Sequence, residues 1–440
     1  MKQVHRGWAV FLFLALVAGI LLRILYVNDM EYKEDEQYNF HQSQLIGNSI
    51  AWPWKGIASG VYLPNPGMSI WVFAALAKLF GIHHPTDLAT AVQLFSIFGI
   101  LLILPFAYYF LETIEEKVVW LWSCGLSLVN PFLVWIHRKL WPEAFLPFFS
   151  ILILMGWWQR TTIGGAFVWG LVGALIGQIH MSGFFFAAAL AIWTFFFDRR
   201  PLHKADLLWK PVCWSGWFAG STIGALPLIP WALEVMRNPV GHSVLGDWKE
   251  MIQLRFWVFW LTDPIGISLG NPLGVSKGNS QWVQIADFLR YPLWNGEPTY
   301  LVGLAHGLAI GLWSVILGLG LLRLWRGRFD LEGSFIGRSS WTAFVQNATF
   351  WSCGFLLTLT GVSIRRYYLC VTFPLEFILL VRWANPLTIA GRRILISLWI
   401  CELVISANFI SYIHRNQGAP LGDYGPAYRV IKDKLPEHLR

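Results

Sequence analysis

The run Met68-Ser-Ile-Trp-Val-Phe-Ala-Ala-Leu-Ala-Lys-Leu-Phe-Gly81 decides the topology of everything that follows it. A transmembrane helix needs about 20 apolar residues, and a run of roughly fourteen fits an interfacial or re-entrant helix better. Runs long enough to cross a bilayer lie at about 8–27, 88–111, 118–136, 143–158, 163–179, 181–197, 212–233, 300–322, 341–362, 367–382 and 394–413. Suppose 68–81 does not span and the N-terminus, with Lys2 and Arg6, is inside. The short basic loops then share the cytoplasmic side: Lys117; Arg160; Arg199, Arg200, Lys204 and Lys210; Arg323, Arg326, Arg328 and Arg338; Arg382, Arg392 and Arg393. That is the positive-inside pattern. If 68–81 spanned, all the clusters after it would face outward. The expected fold class is therefore an all-α polytopic membrane protein with about 11 transmembrane helices and an interfacial helix in its first outer loop. The transmembrane domain covers 1–413, and 414–440 is a short outer tail.

Composition supports the membrane reading. Of the 440 residues 56% are hydrophobic and 13% charged, against roughly 25% charged in soluble domains. The mean hydropathy is +0.52. The 27 tryptophans suit interfacial belts. The net charge of +8 reflects cytoplasmic loops, and no basic patch interleaved with aromatics marks a nucleic-acid surface. Cys124, Cys213, Cys353, Cys370 and Cys401 lie in apolar runs and read as small core hydrophobes. The first apolar run is too long for a signal-peptide core and reads as a retained anchor. Asn347-Ala-Thr349 matches a glycosylation sequon, but inside an apolar span.

The outer side holds the candidates for chemistry. Loop 28–87 carries Glu31-Tyr-Lys-Glu-Asp-Glu-Gln-Tyr-Asn-Phe40, with Glu31, Glu34, Asp35 and Glu36 gathered as nowhere else. Crowded carboxylates raise one another's pKa, which makes a base useful near neutral pH. The alternative is a solvated acidic loop. Asp35 and Glu36 point about 100° apart on a helix, so at most one faces a substrate. Arg138 and Glu143 flank Pro142 on a turn; they read as a phosphate grip and an orienting acid, or as a local salt bridge. His180 ends a span, either as a structural hydrogen-bonding residue or as a donor to a leaving phosphate. Arg365, Arg366, Tyr367 and Tyr368 form an outer corner, where arginines snorkel to headgroups or hold an anion. No His/Cys/Asp cluster has metal-ligand spacing; Glu34-Asp35-Glu36 matches an acid-x-acid metal motif only in outline. No cofactor is expected.

An Asp-Glu pair opening the first outer loop, a Pro-rich turn (Leu63-Pro-Asn-Pro-Gly67), an interfacial helix, Arg138 five residues before Glu143, and Arg366-Tyr367 followed by Pro374 resemble one known family. They resemble the GT-C membrane glycosyltransferases of the protein O-mannosyltransferase and aminoarabinose transferase type, family 39-like. The resemblance covers roughly residues 1–200, and the later spans in topology alone. It implies a GT-C-like bundle and an inverting transferase that takes a sugar from a polyprenyl-phosphate donor to a glycan, lipid or protein acceptor. It implies a bacterial plasma membrane with the site on the periplasmic side. It also implies Asp35 as base, with Glu36 beside it. The second acid, usually Asp in the family, is Glu143 here. The leaving phosphate would meet Arg138, Arg365, Arg366 and Tyr367, and Glu143 and His180 would orient sugar or acceptor.

Two other readings stay open. A transporter or lipid flippase would use the mid-span acids Glu376 and Glu402. A surface-glycan ligase or polymerase would centre on loop 234–299, with Arg255 and Arg290.

Overall fold

The computed structural model describes residues 2–59, 63–198, 211–238, 248–274, 283–325 and 340–440. The basic clusters at 199–210 and 326–338 lie outside the described residues, as do parts of the long loop, 239–247 and 275–282.

Among the described residues, four helices are long and apolar enough to cross a membrane: Gly7–Ile24, Pro85–Phe110, Leu301–Arg323 and Ile389–Arg415. Three bent pairs bring the number to seven if each is one span: Ile114–Val129 with Pro131–His137 (59°), Trp214–Ala225 with Leu228–Arg237 (52°), and Arg366–Thr372 with Leu375–Ala384 (80°). Three further expected runs form Pro142–Trp158, Ile163–Ile179 and Ser182–Phe197. At 1.5 Å per residue these reach roughly 25 Å, short of a full hydrocarbon core of about 30 Å. The run 341–362 is broken into Trp341–Asn347, a π-helical stretch at Ala348–Cys353, and Gly354–Leu359. By length and composition, four to seven of the expected crossings are single or bent helices long enough to span, and the other expected runs among the described residues are shorter or broken.

The breaks have local causes. Pro131 has no N–H and its ring clashes with the carbonyl four residues back, so a helix cannot run through it unbent. Asn130 leaves helical geometry just before it, and its side-chain oxygen accepts from the amides of Phe132 and Leu133. Such a cap is worth about 1 kcal/mol. The bend delivers the chain at Arg138-Lys139 into the site described below.

Met68–Phe80 is a 13-residue helix, ended by Gly81 at φ 61°. Ser69, Ile70, Phe73, Ala74, Leu76 and Ala77 form its buried face, at helical spacing. That face packs on the Glu34–Leu45 helix. Leu79 and Phe80 stay exposed. A short hairpin, Lys55–Ala58 with Pro64–Pro66, leads into it.

The expected outer tail folds back onto the first loop. Tyr424 donates to the Asp29 carbonyl at 2.5 Å, and the Tyr428 amide donates to the Met30 carbonyl at 3.0 Å.

Candidate active site

A cavity of about 330 Å³ opens where four segments meet. Asp35 and Asn39 come from the Glu34–Leu45 helix, and Trp141, Pro142 and Glu143 from the turn after the bent pair. His180, Met181, Ser182 and Phe185 come from the junction of two helices, and Tyr367 and Tyr368 from the late corner. The hairpin and residues 357–364 complete the wall with mostly apolar side chains. Asp35, Glu143, His180 and Tyr367, far apart in sequence, therefore share one cavity.

The acid cluster is divided by one lysine. Lys139 is buried, 2.9 Å from Glu31 and 3.7 Å from Glu36, both also buried. Its ammonium lies 3.3 Å from the centre of the Trp141 ring, a cation–π contact. The angle of the Glu31 contact leaves no aligned hydrogen bond, so this is an ion pair held by charge. Lys33 adds a second cation to Glu31, at 2.5 Å. Glu36 caps its own helix, accepting from the Lys33 amide at 3.0 Å. Burial still pushes the Glu36 pKa up, against Lys139 and Lys33.

Asp35 is different. It has no hydrogen bond or ion pair among the described residues, and its carboxylate opens to cavity solvent. Enough protein surrounds it for desolvation to raise its pKa; Lys139 and Lys33 oppose the shift, and Glu34 and Glu31 add to it. Of the adjacent acids, Asp35 thus faces the cavity while Glu36 turns to the interior. Asn39 Nδ2 ties this helix to the Leu140 carbonyl at 2.7 Å, which sets its distance from the turn.

His180 caps the C-terminus of Ile163–Ile179. The next turn is tight: a Cβ on Gly183 would lie 2.6 Å from the Ile176 backbone. The imidazole Nδ1 meets the Ser182 hydroxyl at 2.8 Å and the Ser182 amide at 3.3 Å, and Nε2 faces Glu143 Oε1 at 3.4 Å. Burial pushes the His180 pKa down to about 4. The contact is therefore between a neutral ring and a carboxyl group, not an ion pair.

Three wall residues carry a buried polar atom without a hydrogen-bond partner: Asn39 Oδ1, Trp141 Nε1 and Glu143 Oε2. These three atoms are enclosed by protein rather than open to the cavity, and leaving them unbonded is costly.

The arginines separate. Arg138 is buried outside the cavity wall and donates to the carbonyls of Leu22, Arg23, Leu25 and Tyr26, at 3.3, 2.5, 2.8 and 2.9 Å. Its fork closes the end of the first helix, which leaves little donor capacity for a phosphate. Arg366 donates to Asp263 and lies 4.4 Å from the Phe259 ring centre. Arg365 is exposed, its side chain without a hydrogen bond or ion pair among the described residues, and close enough to act electrostatically on Tyr367 and Tyr368. The family resemblance points to Arg138, Arg365 and Arg366 for the phosphate and passes over Lys139. A basic pair entering an apolar turn signalled the region, but nothing local says which member meets the acids.

The competing features lie elsewhere. Glu376 accepts from Thr372 at 3.1 Å, and Glu402 accepts from Asn130 at 3.3 Å. Arg255 donates to Ser363, and Arg290 borders a separate, open cleft with Asp287 and Tyr412. Among the described residues, no three His, Cys, Asp or Glu side chains gather as a metal-ion cluster.

No protein-family model matches the chain, and no curated protein matches it. Among solved structures it is similar to the oligosaccharyltransferase AglB of Archaeoglobus fulgidus in complex with an inhibitory peptide and a dolichol-phosphate. The TM-score is 0.48 at 13% identity, over 98% of this chain and 58% of that one. The apo form of the A. fulgidus enzyme gives a TM-score of 0.47 at 12% identity, over 95% and 56%. ArnT of Cupriavidus metallidurans bound to undecaprenyl phosphate gives 0.42 at 14% identity, over 94% and 79%. The chain thus spans under three fifths of the length of the archaeal oligosaccharyltransferase.

Proposed function

We propose that this chain is an inverting glycosyltransferase that moves one sugar from a polyprenyl-phosphate donor to an acceptor hydroxyl or amine at the outer membrane face. The observation that carries the reading is the cavity wall. One unpaired carboxylate, Asp35, opens into it among residues that carry further polar groups, Asn39, Glu143, His180 and Tyr367. A sugar offers several hydroxyls that both donate and accept, which suits such a set. Asp35 takes the acceptor proton as the acceptor atom bonds to the anomeric carbon. The bond from that carbon to the phosphate oxygen breaks, and polyprenyl phosphate leaves with the electron pair. A single displacement inverts the anomeric centre, by the logic that separates inverting from retaining glycosidases.

The leaving phosphate gathers charge in the transition state and needs a fixed cation there. Arg365 suits this role because its guanidinium is unspent and adjoins both tyrosines. Glu143 and the neutral His180 suit sugar hydroxyls, one as acceptor and one as N–H donor. The apolar wall from Leu357 to Ile364 suits the start of the lipid tail.

The test is transfer from a labelled polyprenyl-phosphate sugar in detergent, with the anomeric configuration of the product read by NMR. Inversion with release of polyprenyl phosphate is expected; retention removes the single-displacement mechanism. Arg365→Ala is expected to lower single-turnover transfer about ten- to a hundredfold, since a charge-assisted hydrogen bond is worth roughly 1.5–3 kcal/mol. Arg365→Lys should fall between, because lysine cannot offer two parallel N–H donors. Parent-like rates in both variants would place the phosphate elsewhere.

A further inference from the structure

The segment 416–440 makes a dense set of contacts with one stretch of the first loop, 29–33. Asp29 is buried at 1% exposure. Its carboxylate accepts from Arg429 Nε on one oxygen and meets His414 Nδ1 at 2.6 Å on the other. Arg429 also donates to the His414 carbonyl, which ties the segment to the end of the last long helix. Tyr424 and Tyr428 hold the backbone of Asp29 and Met30, as described above. Glu31 pairs with Ala427 in an antiparallel bridge. Tyr32 donates its hydroxyl to the Leu439 carbonyl at 2.9 Å and packs edge-on against Tyr428. Lys33 donates to the Asp423 carbonyl. Contacts therefore reach each residue from Asp29 to Lys33, and the helix that carries Asp35 begins at Glu34.

We propose that 416–440 is a strap that positions Asp35, with Arg429 acting through Asp29 as the positioning residue. This rests on the function proposed above. The chain that leads into this stretch is held by Arg138, which closes the carbonyls of Leu22, Arg23, Leu25 and Tyr26. With the strap in place, the entry to the Glu34–Leu45 helix is held at each of its five residues, and the chain leading into it is fixed by Arg138. Without it, the five residues before that helix lose their outer contacts, and the helix start can shift. A displacement near 1 Å at a reacting group costs up to about a hundredfold in rate.

The test compares Arg429→Ala, Arg429→Lys and a full chain with a protease site between Arg415 and Asn416, cut after purification so that folding is complete beforehand. Two readouts are taken. Amide hydrogen exchange over 26–36 needs no turnover. Transfer is measured as kcat against pH, alongside donor Kd.

Arg429→Ala and the cut chain are expected to raise exchange over 26–36 at least tenfold. Their kcat should fall about ten- to a hundredfold, with donor Kd within about twofold, and Arg429→Lys should recover part of the loss. The acid limb of kcat should move to lower pH as Asp35 becomes more hydrated. The charged and titratable groups that face Asp35 in the parent are Lys139, Lys33, Glu31, Glu34, Glu143 and Tyr367, with neutral His180 on the same wall. Unchanged exchange in both altered chains overturns the strap. Raised exchange with unchanged kcat overturns its positioning role. A fall in kcat with no movement of the acid limb and no recovery by lysine indicates general loosening and overturns it as well. A parent without transferase activity overturns the function instead, while exchange still reads the strap.

Discussion

Asp35→Asn is expected to leave the fold and donor binding intact and to lower turnover by about 10²- to 10⁴-fold, the range for loss of a general base. The fold should survive because Asp35 has no hydrogen bond or ion pair to lose among the described residues and opens to solvent. Asn keeps the shape and removes the ability to accept a proton. The neighbours give the controls. Glu34→Gln removes an exposed carboxylate on the same turn and should stay near parent turnover. The pH profile gives a further check. A base must be ionised, and Asp35 has its pKa raised by burial. Parent turnover should therefore fall on acidification through a pKa above that of a free aspartate, and the residual rate of Asp35→Asn should lack this limb. Near-normal turnover in purified Asp35→Asn would remove it from the base role.

Lys139→Met carries the second large effect, on stability. Lys139 is the buried cation between two buried acids, Glu31 and Glu36. Removing one partner of a buried pair costs roughly 3–5 kcal/mol, because the other charge is left uncompensated. Glu31 retains Lys33, so Glu36 suffers more. Its pKa is already raised by burial, with Lys139 the largest opposing influence. Without Lys139 the folded-state pKa rises further, and Glu36 takes up a proton. A carboxyl group with a raised folded-state pKa favours folding most when protonated, so its contribution is lost as pH rises above the unfolded value. Lys139→Met should therefore lose more thermal stability at pH 8 than at pH 5. Adding Glu36→Gln should recover part of the loss, since the amide oxygen can still cap the helix. Equal losses at both pH values, with no recovery in the double variant, would show that the lysine serves packing alone.

These two residues show where the sequence is legible and where it stops. The acid cluster and the 100° angle between neighbours on a helix establish that Asp35 and Glu36 cannot both face a substrate. Which of them does depends on Lys139, more than a hundred residues on, which draws Glu36 and Glu31 inward. The three arginines present the same problem. Each is a basic residue on a turn, and their sequence contexts are alike. Arg138 is consumed by the carbonyls of the first helix, Arg366 by Asp263, and Arg365 by neither. The span count is legible only in part, for a different reason. Hydropathy records that a run is apolar, but it does not record that Pro131 bends one run by 59° or that a π-helical stretch interrupts 341–362.

Sequence alone determined the properties that reside in one stretch of chain. These are the apolar all-helical class, the shortness of the Met68–Phe80 helix, the gathering of acids after the first span, and the Pro-marked turns. Each follows from local periodicity, length or backbone restriction. Tertiary structure decided which acid is unpaired, which arginine is free, and that 416–440 closes over Asp29 instead of trailing away. Those outcomes are charge pairings and carbonyl contacts between segments up to about four hundred residues apart. A buried charge takes whichever partner the folded chain brings within reach, because leaving it unpaired costs several kcal/mol, and no local pattern encodes that partner.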